Sequence, residues 1–557
     1  MGGPSNRTSG DEEQPLLEGK SSESTPKSKG YNFFAGYCYS INYAVGTGVL
    51  GLPSAFYEAS LGLSSIVLVI VSVLSVISTF YINEGSARAW AIRRAEKKDD
   101  ESSNSDDERD STSDKTVPNY NIPSHDFIHY PRLCEIFIGR WAYHAYQVIS
   151  IIYLFTTLWS YATVVVQTLT ADIPLPGISS GENCADVGSI CNNFSTGCSN
   201  AYFIFMAVFL VLVVLVGFLP YSGKVQQMIQ SIFTILRVIV MVAIFVSVSA
   251  ALDVAPYDPA AAHTSKPFYA EPTNWMSFSF KGLGYVSSGT AFSLILHHSV
   301  PLISQPVKTK KHLNYMYMAV IATAAILYFL IGFLCAMFFG PETNPLISLN
   351  FKFWDGHNWL QDDTGHTPWY IQTIVQVIMI FPIISIISSY PLNAITLSRN
   401  IEEFLPDEWV KQRPANRAAR GRDSQSEEGE DAGEEEVKSS VRKTLDMLVI
   451  IVPCVLAAFA RCFDTIIQIC GLTGFFLVYF FPPLMSMLGK KRMEKTFGEG
   501  ALTDEDLDLS AEEQEKKKKA MFSTVFSGWW SHPILYYTMF TFGAIFFVAT
   551  VYSLIFG

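Results

Sequence analysis

The chain has 557 residues, 49% hydrophobic and 14% aromatic but only 16% charged, where an ordinary soluble chain carries about 25% charged residues. With a mean hydropathy of +0.24, this excludes a conventional water-soluble domain and points to a membrane protein. The net charge of −12 is concentrated in a few polar stretches, and no nucleic acid is expected among the partners.

The first 30 residues are polar and lack the apolar core of a cleavable signal peptide, so the first span itself directs insertion. They read as a disordered cytosolic tail carrying EEQPLL, in which Glu12, Leu16 and Leu17 match the acidic dileucine pattern that sorting adaptors read on lysosomal and vacuolar proteins. A bilayer core needs about 20 consecutive apolar residues per helix. Eleven windows qualify: 32–57, 62–87, 143–172, 200–219, 225–251, 279–305, 313–339, 369–398, 444–462, 465–488 and 531–556. An all-α membrane protein of eleven helices follows, organised as tail 1–30, helices one and two in 31–92, an acidic loop at 93–125, helices three to eight in 126–400, a second acidic loop at 401–443, and helices nine to eleven in 444–557. The loop stretches DDESSNSDDERDSTSD and SQSEEGEDAGEEE are low in complexity and read as disordered. Ser103, Ser105, Ser111 and Ser424 in them suit phosphorylation, with a plain solvated linker as the alternative.

Positive charge sets the orientation. With the N-terminus cytosolic, 34 of the 39 Lys and Arg fall on cytosolic segments, four on the opposite side and Arg237 inside the fifth window. Gly557 is then lumenal or extracellular. The same orientation places outside the cytosol the loop that holds Cys184, Cys191 and Cys198 with the sequon Asn193-Phe-Ser195, as a disulfide and a glycan require. The odd number leaves one thiol over, and the pairing stays open.

The first window contains INYAVGTGVLGLPSAF, with three glycines and Pro53 inside one helix length. Each glycine weakens a helix interior by about 1 kcal/mol relative to alanine, and proline by about 3. Non-helical backbone is tolerated at membrane depth where it lines a cavity, and in inverted-repeat transporters such breaks recur at matching positions in the two halves. Breaks are therefore expected at Gly46, Thr47, Gly48 and Pro53, and, five spans later, at Ser287, Ser288, Gly289 and Thr290 in KGLGYVSSGTAFSLILHHSVPLISQP. The competing reading is that small residues let helices pack closely. A broken helix offers amides to a carboxylate and carbonyls to a cation, so a zwitterionic amino acid leads among the substrates.

AVGTGVLGLPSAF resembles the first-helix signature of the amino acid/auxin permease family, a branch of the amino acid–polyamine–organocation superfamily. The stretch from His298 to Pro301 followed by SQPVKTKKHL, and FPIISIISSYPLNAITLSRN in the eighth window, resemble the family's signatures there. An orphan branch of the family shares the long acidic, serine-rich insert after the second span. The resemblance implies a five-plus-five inverted repeat with discontinuous helices one and six, and symport of amino acids with H⁺ or Na⁺ by alternating access. It implies substrate contacts at Gly46, Thr47, Gly48, Ser287, Ser288, Gly289 and Thr290, and a cation held between the first break and Ser385, Ser388 and Ser389. One departure is that the family's usual Cys-His-Pro-Glu reads Leu296-His297-His298-Ser299 here.

Charged residues within spans are functional hypotheses by default. Arg237 suits a carboxylate or an internal acid, and His297 and His298 suit proton coupling or a packing role. Glu84 reads as a boundary residue, and Arg461 and Asp464 as a pair across a tight turn. No enzyme motif stands out, and neither cofactor nor metal is expected. The alternatives to a transporter are a non-transporting amino acid sensor or scaffold at an endomembrane and, less fittingly, an ion channel.

Overall fold

A chain in hydrocarbon must satisfy its backbone internally, and the described residues accordingly form helices and no strand. The computed structural model describes residues 32–103, 118–123, 128–180, 182–185, 190–191, 194–217, 223–254, 277–354, 368–406, 439–498 and 510–556. The dileucine motif, most of both acidic loops and Asn193 lie outside them.

In chain order the helices are α1 (Phe33–Ala44), α2 (Gly48–Ala59), α3 (Leu61–Ser103), α4 (Tyr130–Phe137), α5 (Arg140–Asp172), α6 (Gly197–Gly217), α7 (Gly223–Val254) and α8 (Phe280–Ser293). They continue with α9 (Val300–Ser304), α10 (Leu313–Phe339), α11 (Trp369–Phe404), α12 (Ser439–Phe459), α13 (Phe463–Phe475), α14 (Phe481–Phe497), α15 (Ala511–Met521) and α16 (Pro533–Phe556). A π-turn, Phe476–Phe480, joins α13 to α14. Eight of these stretches are long and apolar enough to cross a bilayer, and they match windows two to five, seven, eight, ten and eleven. Window one falls on α1 and α2, window six on α8 and α9, and window nine on α12.

The first break lies at Val45, Gly46 and Thr47, where it was expected, but α2 runs on through Pro53. The second is displaced. Ser287, Ser288, Gly289 and Thr290 are all inside continuous α8, and the helix ends only after Ser293, with Leu294–Leu296 between it and a short 3₁₀ turn at His297–Ser299. Two glycines earlier in the same stretch, Gly282 and Gly284, serve packing. A Cβ on Gly284 would lie 2.1 Å from the Ala549 carbonyl oxygen, and one on Gly282 would lie 2.7 Å from Ala59 Cα. These close approaches let α8 sit at the centre of the bundle against α2, α3, α13 and α16, while α5 packs on α11, α12 and α13.

Disulfides join Cys184 to Cys198 and Cys191 to Cys462. The odd thiol of the loop therefore pairs with the turn between α12 and α13. Arg461, beside it, does not pair with Asp464: it donates to the Ala458 carbonyl at 2.8 Å and to Ser199 Oγ at 2.6 Å, and its guanidinium lies over the rings of Phe194, Tyr202 and Phe203. Glu84 is no boundary residue. It is fully buried and bonded to Arg88 Nη2 at 2.7 Å.

Candidate functional site

The two breaks touch. A Cβ on Gly48 would lie 2.3 Å from Ser293 Oγ and 2.8 Å from Ser293 Cα, so only glycine lets the start of α2 lie against the end of α8. Tyr328 of α10 spans both ends, with its hydroxyl 2.7 Å from the Ala44 carbonyl oxygen and 3.0 Å from that of Ser293. The last carbonyls of a helix have no intrahelical partner, and here the one hydroxyl proton of Tyr328 is shared between a carbonyl of each half-helix.

Arg237 of α7, only 3% exposed, serves the remaining acceptors at the first break. Its Nη1 donates to the carbonyls of Asn42 at 2.8 Å and Val45 at 2.7 Å. Nε donates to Ser385 Oγ at 2.7 Å, and Nη2 to Ser389 Oγ at 2.8 Å and to the Ser385 carbonyl at 3.4 Å. A guanidinium carries five N–H donors, and these five contacts occupy them all. None of the acceptors is a carboxylate. The oxygens that the family resemblance assigned to a cation, the first-break carbonyls with Ser385 and Ser389, are thus gathered around a cationic side chain. Ser388 belongs to the same helix, and its side chain lies outside those described.

Two small adjoining chambers open beside this cluster, sharing Tyr161 and Ser389 in their walls. The first, about 10 Å³, adds Gly46, Thr47, Leu50, Arg237 and Ser385. The second, about 30 Å³, adds Asn42, Tyr43, Tyr153, Thr157, His298 and Asn393. Each has room for about one or two waters. Thr47 Oγ1 sits 3.1 Å from Ser160 Oγ, which ties the break to α5. Larger cavities lie elsewhere: one of about 440 Å³ among charged groups at the ends of α3, α4 and α11, and an aromatic one of about 370 Å³ between the π-turn and α16. Neither touches a helix break.

Of the expected site residues, the structure brings together Gly46, Thr47, Gly48, Arg237, Ser385, Ser389 and His298. It does not bring Ser287, Ser288 and Gly289 there. The Ser287 and Ser288 hydroxyls donate back to the Gly284 carbonyl at 3.2 and 2.8 Å, and Gly289 faces Ile467, Ala55 and Leu52. Thr290 Oγ1 is buried without a hydrogen-bond partner among the described residues. His297 is turned away, its Nε2 3.0 Å from the Ser75 carbonyl oxygen. Sequence reasoning missed Tyr43, Tyr153, Thr157, Ser160, Tyr161 and Tyr328. The run Thr156-Thr157 with Ser160-Tyr161 in an apolar span was a readable polar stripe, whereas Tyr328 left no such signal.

Apolar spans around two touching helix breaks make this a multi-pass membrane protein. The family described as transmembrane amino acid transporter protein matches residues 115–504, and the chain belongs to it. The match begins after the second span, so the first-break signature lies outside it. Within the family the similarity runs to proteins named transmembrane protein 104 or its homologue, the orphan branch expected from the acidic insert. The homologue of Caenorhabditis briggsae is 25% identical over 82% of this chain and 86% of its own, and that of Caenorhabditis elegans 24% over 80% and 84%. The Homo sapiens protein is 23% identical over 66% and 74%.

Proposed function

We propose that the chain is a secondary active transporter that moves amino acids by alternating access, with eleven spans in a five-plus-five inverted repeat, coupled to H⁺ rather than Na⁺. The observation that carries this is Arg237, a buried cation at the first break with five neutral acceptors and no carboxylate. A charge taken out of water is costly unless an opposite charge compensates it. The carboxylate of an amino acid, held on the backbone of Gly46, Thr47 and Gly48, supplies that charge when the substrate arrives. The same cluster argues against Na⁺, because the oxygens that would coordinate it accept from Arg237. The chambers hold only water-sized volumes, so the substrate enters as the helices around the breaks rock apart.

The test is uptake of an amino acid panel by proteoliposomes, with and without Na⁺, at pH 5 and pH 7. Saturable uptake that responds to the pH gradient and ignores Na⁺ is expected. Uptake that needs Na⁺ removes the coupling assignment. Binding without flux under any gradient replaces the transporter with the amino acid sensor, which would keep the same site. A lysosomal or vacuolar address rests on Glu12, Leu16 and Leu17; replacing both leucines with alanine should move the protein to the cell surface.

A further inference from the structure

We propose that the closed seam between α5 and α11 is the way from the chambers at the helix breaks to the cytosol, and that Gln147 is the latch that holds it shut. This rests on the transporter reading only for the location of the substrate site.

The cavity of about 440 Å³ and the second chamber share two helices. Tyr143 of α5 and Glu403 of α11 line the cavity, while Tyr153, Thr157, Ser389 and Asn393 of the same helices line the chamber. From Tyr143 to Tyr153, and from Glu403 back to Asn393, each helix climbs only about 15 Å. The cavity lies at the end of the bundle that the distribution of Lys and Arg makes cytosolic, so it is the nearest open space on that side of the chambers. Between the two, the seam is polar. Ser150 Oγ accepts from Asn400 Nδ2 at 3.1 Å, and one turn closer to the cavity Gln147 Nε2 donates to Tyr143 Oη at 3.1 Å and to Glu403 Oε2 at 3.4 Å. Helical spacing puts Tyr143, Gln147, Ser150 and Thr157 on one face of α5, and Asn393, Asn400 and Glu403 on one face of α11.

Polar pairs between membrane helices can serve as glue, but glue is satisfied, and Gln147 is not. Its Oε1 is buried without a hydrogen-bond partner among the described residues. Gln305, at the end of α9, repeats the pattern: Nε2 donates at 3.2 Å to the carbonyl of Ile128, another residue of the cavity wall, and Oε1 is buried and unpartnered. A buried acceptor left unpaired penalises the conformation that buries it. Parting the seam brings water to the Gln147 oxygen, so the closed state is held by the Nε2 bonds and opposed by Oε1. The groups that Gln147 would release, Tyr143 and Glu403, already face the cavity and are solvated once freed.

The experiment places Thr157→Cys in the full-length protein and measures, by peptide mass mapping, how fast a membrane-impermeant thiol reagent on the cytosolic side labels it. The second chamber holds only about 30 Å³, so labelling requires the seam to part; the free cysteines Cys38, Cys134, Cys335, Cys454 and Cys470 are buried and are mapped separately. Gln147→Leu removes the unpaired oxygen, fills the seam with apolar volume and should slow labelling at least about fivefold. Glu403→Ala removes an acceptor of the latch and should speed labelling at least about threefold. In the Gln147→Leu background Glu403→Ala should change nothing, because the bond it breaks is already absent. A shift in the same direction in both single variants, or in neither, overturns the inference, as does additivity in the double variant. So does a Thr157→Cys that the cytosolic reagent never reaches, and that readout with Glu403→Ala remains if Gln147→Leu misfolds. Uptake of the amino acid panel runs in parallel. Opposite shifts with no uptake strike the transporter reading and leave the inference standing, and uptake without the shifts does the reverse.

Discussion

Gly46 and Gly48 look equivalent in the sequence, but they do different work. A Cβ at Gly46 would meet only Tyr161 Oη, at 3.5 Å, whereas at Gly48 it would strike Ser293 at 2.3 Å. Gly48→Ala is therefore expected to destabilise the protein by about 1–3 kcal/mol through overpacking, and Gly46→Ala by much less; thermal unfolding of the two purified variants measures the difference. Arg237 was legible as a lone charge in an apolar window, because burying a charge is costly enough to need a reason. Its acceptors were not, since Asn42 of α1, Val45 of the break, and Ser385 and Ser389 of α11 lie far away in the chain. The hydroxyls of Ser287 and Ser288 misled for the opposite reason: a serine in a membrane helix bonds the preceding turn's carbonyl as readily as it faces a ligand.

At the scale of elements, the error over α8 has a clear cause. Glycine weakens a helix, yet in tight packing the lost propensity is offset by close contact, and Gly282 and Gly284 lie directly against Ala59 and Ala549. The true break falls at Leu294-Ile295-Leu296, which has the composition of a good span, so only the positions of α2 and α10 reveal it. A second cluster ties α3 to its neighbours. The Glu84 carboxylate receives Arg88 Nη2 at 2.7 Å, Ser486 Oγ of α14 at 3.0 Å, and Ser527 and Ser531 from the segment before α16 at 2.5 and 3.2 Å. Removing one partner of a buried ion pair strands the other, at about 3–5 kcal/mol. Glu84→Ala and Arg88→Ala should each lower the melting temperature sharply, and the double variant should lose much less than the two losses added together. A thermal double-mutant cycle checks this, and simple additivity would mean that the pair is not coupled.

Over the whole molecule, the Cys191–Cys462 bridge links positions 271 residues apart. It fastens the cysteine loop to the α12–α13 turn, where Trp159 Nε1 and Gln167 Nε2 of α5 also donate to the carbonyls of Ala460 and Arg461 at 2.8 Å each. Cys191→Ser should cost about 2–4 kcal/mol, read as a lower melting temperature that reductant no longer changes further at this bridge. Peptide mapping without reduction should recover Cys184 with Cys198 and Cys191 with Cys462; any other pairing refutes the arrangement. By itself the sequence determined the all-α membrane character, the positions of the apolar windows and the break at Gly46 and Thr47. These follow from hydropathy and backbone propensity, which act over stretches of neighbouring residues. Tertiary structure alone decided where α8 breaks, which oxygens surround Arg237, which chamber His298 faces and which cysteine takes the odd thiol. Each of those depends on groups from separate helices meeting within a few ångströms, and nothing local in the chain encodes which helices meet.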